Sequence, residues 1–215
     1  MSFAKEASRA IRSTFVLWVI GAIIYPFVMI AFGQIIFPSQ ANGSLIKNAQ
    51  GQVLGSSLIG QPFNSDRYFN SRPSTTSYST ADPKKDDAKV LQTGVSGASN
   101  LAPSNSALIE RIKGKDDPDP SKRVEGDLNR LKTAGVQQPT ADLVYTSGSS
   151  LDPHITPAAA TAQIARVAKA RGLQPQDLET LISQNTDSRF LGLFGEPGVN
   201  VLKLNLALDA LKSAS

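Results

Sequence analysis

Ser147, Ser149, Ser150, Asp152 and His154 fall within eight residues and supply every side-chain type of a serine-hydrolase triad: a hydroxyl nucleophile, an imidazole base and a carboxylate to orient it. The spacing works against that chemistry. Neighbours on one loop rarely converge as nucleophile, base and orienter, and SGSSLDP lacks the G-x-S-x-G turn that lifts a serine to the end of a strand-to-helix elbow. The competing reading is structural: Asp152 and Ser149 bond their own loop backbone, and His154 packs near the start of the helix that follows.

Composition removes most other chemistry. The chain has no cysteine, so thiol nucleophiles, disulfides, iron–sulfur clusters and thiolate zinc sites are excluded. With His154 as the single histidine, only oxygen ligands remain for hard cations. Asp116, Asp117 and Asp119 cluster in KDDPDPSK (115–122), but this run lacks the glycine and terminal glutamate of a calcium loop and reads as solvated. The other carboxylates show no pairing suggestive of a glycosidase. No catalytic, cofactor-binding or metal-binding residue is predicted.

The net charge of +4 divides unevenly along the chain. Lys5, Arg9 and Arg12 stand against Glu6 in the first 37 residues; removing them from the chain's 22 basic and 18 acidic residues leaves 19 and 17 beyond. A surplus of two is no nucleic-acid footprint, and the pair Lys84–Lys85 is followed directly by Asp86–Asp87. No nucleic-acid partner is expected.

The elements that position these residues begin with FVLWVIGAIIYPFVMIAFGQIIF (15–37), which carries no charge and as a helix spans about 35 Å, enough to cross a bilayer. Pro26, near its middle, is expected to kink it. Ala31-Phe32-Gly33 has the small residues of a signal-peptidase site, yet apolar residues resume at Ile35, Ile36 and Phe37, which favours a tether over a cleaved leader. Three basic residues precede the helix and the first charge after it is Lys47, so residues 1–14 are expected in the cytoplasm and 38–215 outside.

Within 38–215 the pattern predicts one α+β domain. Residues 38–50 read as a lead, and 51–78 as short strands and loops with aromatic anchors. Helices are predicted from a cap at Ser104 or Asn105 to Lys113, and from Lys122 to Thr133. A third runs from a Thr156 cap to the exit at Gly172, burying Ala160, Ile164, Val167 and Ala168, and a fourth from Pro175 to about Asn185, burying Leu178, Leu181 and Ile182. ADLVYT (141–146) reads as a strand; NVLKLNLALDALKSA (200–214) alternates like a strand but is better read as a helix from its length and alanines.

Five stretches are recognisable as a set: GSSLIGQPF (55–63), YFNSRPS (68–74), SGASNLAPSN (96–105), ADLVYTSGSSLDPHITPAAA (141–160) and GEPGVNVLKLNLALD (195–209). With the single N-terminal helix, the chain closely resembles the C subunit of the Kdp potassium-transporting P-type ATPase, in family order and over nearly its whole length. Ala102 stands where the family pattern has glycine, and Gly198 where it has arginine. The charged stretch 113–125 looks like a surface loop of variable length in such proteins.

The resemblance implies a complex in the plasma (inner) membrane. Its partners would be a channel-like potassium-binding subunit, a P-type catalytic subunit and a small single-helix subunit. ATP, magnesium and potassium would be used by the complex and catalysis would reside elsewhere. The expected role is a non-catalytic accessory subunit that stabilises the assembly and covers the outer entrance of the channel-like subunit. The alternatives are a catalytic chaperone promoting ATP binding by the catalytic subunit and, from a different class, a membrane-tethered serine hydrolase using Ser149 and His154. Candidate interface or loop-ordering residues are Asn100, Ser149, Asp152, His154 and Glu196, with a local effect on cation access open at Asp152 and Glu196.

Overall fold

The computed structural model describes residues 2–79 and 95–213; the Lys84–Lys85 and Asp86–Asp87 pairs lie outside the described residues. The chain is mixed helix and strand and divides into two compact units, with the boundary in sequence between Leu54 and Gly55.

The first unit is dominated by a helical run of 34 residues, Phe3–Ile36, with its most apolar stretch unburied within the protein, long and apolar enough to cross a membrane. It comprises α1 (Phe3–Val19), a π turn (Ile20–Ile24) and α2 (Tyr25–Ile36). The helix starts well before the apolar run, and its polar first turns carry an exposed Arg9–Glu6 pair at 3.1 Å. Pro26 has no N–H, and its ring would collide with the carbonyl four residues back. The π turn is the local answer: Tyr25 N–H bonds the Ile20 carbonyl, widening the helix by one residue where a kink was expected. Beyond α3 (Pro38–Ala41), β1 (Leu45–Lys47) pairs with β2 (Val53–Ser56) around Asn48, whose Oδ1 accepts from the N–H groups of Gln50 and Gln52. The predicted lead 38–50 thus contains ordered structure.

In the second unit, α4 (Ser106–Lys113) begins where expected: Asn105 caps it by accepting from Ala107 N–H at 2.9 Å. The next helix is shorter than predicted. Pro120–Lys122 forms a 3-10 turn and Arg123–Gly126 stays extended, Val124 forming a β-bridge with Lys115, so α5 spans only Asp127–Thr133. The two helices meet at Gly114 and Gly126, where a Cβ on Gly126 would collide with the backbone of Lys113 and Gly114. Residues 115–122 form the exposed loop expected of them, with Asp119 accepting from Ser121 N–H and facing Lys122 at 3.6 Å. ADLVYT is not a strand. Leu143 and Val144, adjacent in sequence, are both buried, which one helical turn allows and a strand's alternation does not; α6 is Ala141–Val144.

The Thr156-capped helix is divided at Gln163 into α7 (Pro157–Ala162) and α8 (Ile164–Arg171), and left-handed Gly172 closes it. α9 (Pro175–Gln184) and α10 (Val201–Ser213) match their patterns. A three-stranded antiparallel sheet has the order β3 (His154–Ile155), β5 (Gly198–Asn200), β4 (Thr186–Asp187). Helix α9 packs on α7 and α10, and both of those reach β5, enclosing Leu178, Val167, Val199, Val201, Leu204 and Leu208 as the core.

An irregular segment, 65–70, runs along the surface of this core, sinks Phe69 into it, and is held by side chains. Asn205 accepts from Phe69 N–H and donates to the Phe69 carbonyl, both at 2.9 Å; Gln163 does the same for Asn70 at 2.8 and 3.2 Å. Arg166 donates to the Tyr68 carbonyl at 2.9 Å. Arg171 donates to the Arg67 carbonyl, pairs with Asp209 at 2.7 Å and lies 4.7 Å from the Tyr68 ring centre. These contacts explain the break at Gln163: its amide serves the loop.

Candidate functional site

Register decides which side chains of the small sheet meet. Ile155 pairs with Val199, and Val199 with Thr186, so this set shares the core face; His154, Gly198 and Asp187 project from the other. There the His154 ring lies over Gly198, close enough that an added Cβ would touch it at 3.4–3.5 Å. A larger side chain at 198 would project into a groove of about 370 Å³ that is lined by Arg72, Asp142, Asp152, His154, Asp187 and Glu196, among others.

The groove is a ladder of charges. Asp152 accepts from His154 N–H at 3.0 Å, as the sequence suggested, and faces Arg72 at 3.3 Å. The imidazole stands between two carboxylates, Nδ1 at 3.7 Å from Asp152 and Nε2 at 3.6 Å from Asp187. Asp152 raises the His154 pKa above its usual value, with Asp187 adding to the effect and partial burial opposing it. Asp152 is lowered in turn by the imidazole and the His154 N–H, then by Arg72, against desolvation. Asp142 accepts from Thr156 N–H at 2.7 Å, tying the groove to the start of α7. Glu196 is paired with Arg189 at 2.6 Å.

Ser149 and Asn100 belong elsewhere. Ser149 takes part in a polar junction of three loops, its carbonyl accepting from Gly97 N–H and Ser96 Oγ and its hydroxyl accepting from Leu151 N–H. The buried centre of that junction is Ser150, held at φ 59°, with its hydroxyl on Thr75 and the Gly97 carbonyl. Asn100 is an exposed left-handed residue, φ 53°, on the same loop as Gly97. With both His154 nitrogens facing carboxylates and the Ser149 hydroxyl within reach of Ser147 and Leu151, this geometry does not assemble a triad. Sequence reasoning found Asp152, His154 and Glu196 but missed Arg72, Asp142 and Asp187. Their distances along the chain hid them, since strands of two and three residues give no readable alternation.

One further feature adjoins the groove. Phe190 and Phe194 form a β-bridge that closes a tight hairpin, above the Arg189–Glu196 pair. Phe190, Leu191, Leu193 and Phe194 are 71, 74, 77 and 63% exposed.

Comparison with known proteins accounts for the five stretches. The family described as "KdpC: K+-transporting ATPase, c chain" matches residues 7–210. A potassium-transporting ATPase KdpC subunit 1 of Nostoc sp. is 75% identical over 212 residues, covering 99% of both chains. The KdpC subunit of Microcystis aeruginosa is 74% identical over 211 residues, 98% of each chain, and one from Rhodopseudomonas palustris (strain BisB18) is 46% identical over 216 residues, 97% of this chain and 99% of that one. A match running from the N-terminal helix through α10, with close relatives of the same length, shows that the chain belongs to the KdpC family.

Proposed function

We propose that this chain is a non-catalytic accessory subunit of an ATP-driven potassium uptake complex. It stabilises the assembly and covers the outer entrance of a channel-like potassium-binding subunit, beside a P-type catalytic subunit and a small single-helix subunit. The carrying observation is the KdpC match over 7–210. Its relatives are named as subunits of a potassium-transporting ATPase, and the apolar helix Phe3–Ile36 gives the chain its place in the bilayer.

Lys5, Arg9 and Arg12 ahead of the helix support a cytoplasmic N-terminus in the plasma membrane and an outer location for everything after Pro38. On that topology ATP and magnesium are used by the complex, away from the outer domain. Asp152 and Glu196 already face Arg72 and Arg189, which leaves little free charge on these two residues for a cation and favours steric ordering of the entrance over attraction by them.

The test is affinity purification of the tagged full-length chain in mild detergent, with mass spectrometry of the eluate and an assay of potassium-stimulated ATPase activity. Recovery of a P-type ATPase with a channel-like subunit and that activity is expected; a chain that elutes alone overturns the reading. Reduced apparent potassium affinity in an intact Glu196→Gln complex would restore the electrostatic version.

A further inference from the structure

The hairpin 189–196 places four large apolar side chains in solvent, and folding gives no reason for them. None is buried, so removing them costs the core nothing. Backbone geometry does not ask for them either: Leu191 sits at φ 53°, where a leucine is strained and asparagine or glycine would be at ease, and it is followed by Gly192 at φ 73°. The hairpin satisfies its own backbone, with Phe190 N–H on the Phe194 carbonyl at 2.8 Å and Phe194 N–H on the Phe190 carbonyl at 2.9 Å, and an ion pair braces its base. A rigid, self-contained projection with an apolar tip is pre-organised for docking.

Resting on the reading that this chain works within an ATPase complex, we propose that the 190–194 tip is its docking knob and seats in an apolar socket, rimmed by cationic side chains, on another protein of that complex. Charge selects this occupant. The stems carry Asp187 and Glu196, the only cation between them is Arg189, already held by Glu196 at 2.6 Å, and the adjoining groove adds Asp142 and Asp152 against Arg72. Four carboxylates against two arginines and the one imidazole of His154 leave the flank acidic, which repels an anionic lipid surface, and a second copy of the chain would bring the same flank to its partner. A socket with lysine or arginine at its rim complements both the tip and the flank.

The experiment places a photocrosslinking benzoylphenylalanine at Leu191 or Leu193 of the full-length chain in membranes containing the complex, with exposed Ile109 as the control position. The expected result is an adduct with another subunit, mapped to a peptide holding apolar residues next to lysine or arginine. Leu191→Ser/Leu193→Ser should also weaken subunit retention by about tenfold or more, since each buried leucine contributes about that factor. Adducts with lipid alone or with a second copy, or none above the Ile109 background, overturn the proposal while recovery of the ATPase by the unaltered chain leaves the functional reading standing. Failure of the unaltered chain to recover the ATPase sinks that reading and the proposal with it.

Discussion

Residues 65–70 and 189–196 are both short irregular segments of the second unit, yet the first is anchored on the core through the buried Phe69 and the second is an apolar tip held out in water. Where a loop buries a residue such as Phe69, its N–H and C=O groups need partners without a neighbouring strand, and here two amide side chains and two arginines act as that strand. The hairpin meets its backbone needs internally and has no use for its own side chains. Polar side chains that hold a loop's buried backbone are there for the fold; apolar atoms outside with no packing partner point to another molecule.

Substitutions at the two loops should therefore separate stability from assembly. The largest loss is expected for Asn205→Ala: Asn205 and Phe69 are both buried, and truncation strands a buried N–H and a buried carbonyl, costing about 2–5 kcal/mol. Thermal unfolding of the full-length chain in detergent would show it; a change below about 1 kcal/mol would mean that the loop is not held as described. Arg171→Met should cost less, about 1–3 kcal/mol, because Asp209 is half exposed and still accepts from the Tyr68 hydroxyl, while the Arg67 carbonyl and Tyr68 ring lose the guanidinium. By contrast Leu191→Ser/Leu193→Ser should leave unfolding within about 0.5 kcal/mol of the parent, as exposed substitutions do. A destabilised hairpin variant would erase the distinction between the two regions.

The same contrast explains what could be read from sequence. Helices α4, α7 to α8 and α9 were legible because a cap, a proline at the first turn or a 3.6-residue stripe announces them locally, as Thr156, Pro157 and Gly172 do. The leucines of α10 fit a strand as well, and its length and alanines decide for helix. Segment 141–146 misled because β-branched and aromatic residues imitate a strand, whereas Tyr145 N–H closes a helical turn on Ala141. The break at Gln163 and the fixing of 65–70 depend on partners 93 and more positions away, and no window over the sequence holds both ends. The site was half visible for the same reason. Asp152 and His154 are neighbours in the chain, but Asp187 reaches His154 only through the register of a sheet too short to be patterned.

That long-range contact gives the smallest effect. His154 is positioned against Asp152 and Asp187, with Arg72 beyond Asp152 and Asp142 and Glu196 elsewhere along the groove, and its pKa is raised above the unfolded value. Because the folded form holds its proton more tightly, the ion pairs contribute fully below the unfolded pKa of about 6.5 and are lost as pH rises through the folded value. Stability of the parent should therefore fall slightly from acid toward neutral and mildly alkaline pH relative to His154→Gln, which has no such proton. The imidazole is 39% exposed, so water screens both pairs and the difference should be about 0.5 kcal/mol. Asp152 acts in the opposite window, its lowered pKa giving stability that disappears only as pH falls below the usual carboxylate range. Measuring both proteins between those two windows and above the histidine one isolates the imidazole: parallel curves there would mean that it spans the sheet without gaining a proton from it, whereas a parent curve falling relative to the variant as pH rises would assign the charge to His154.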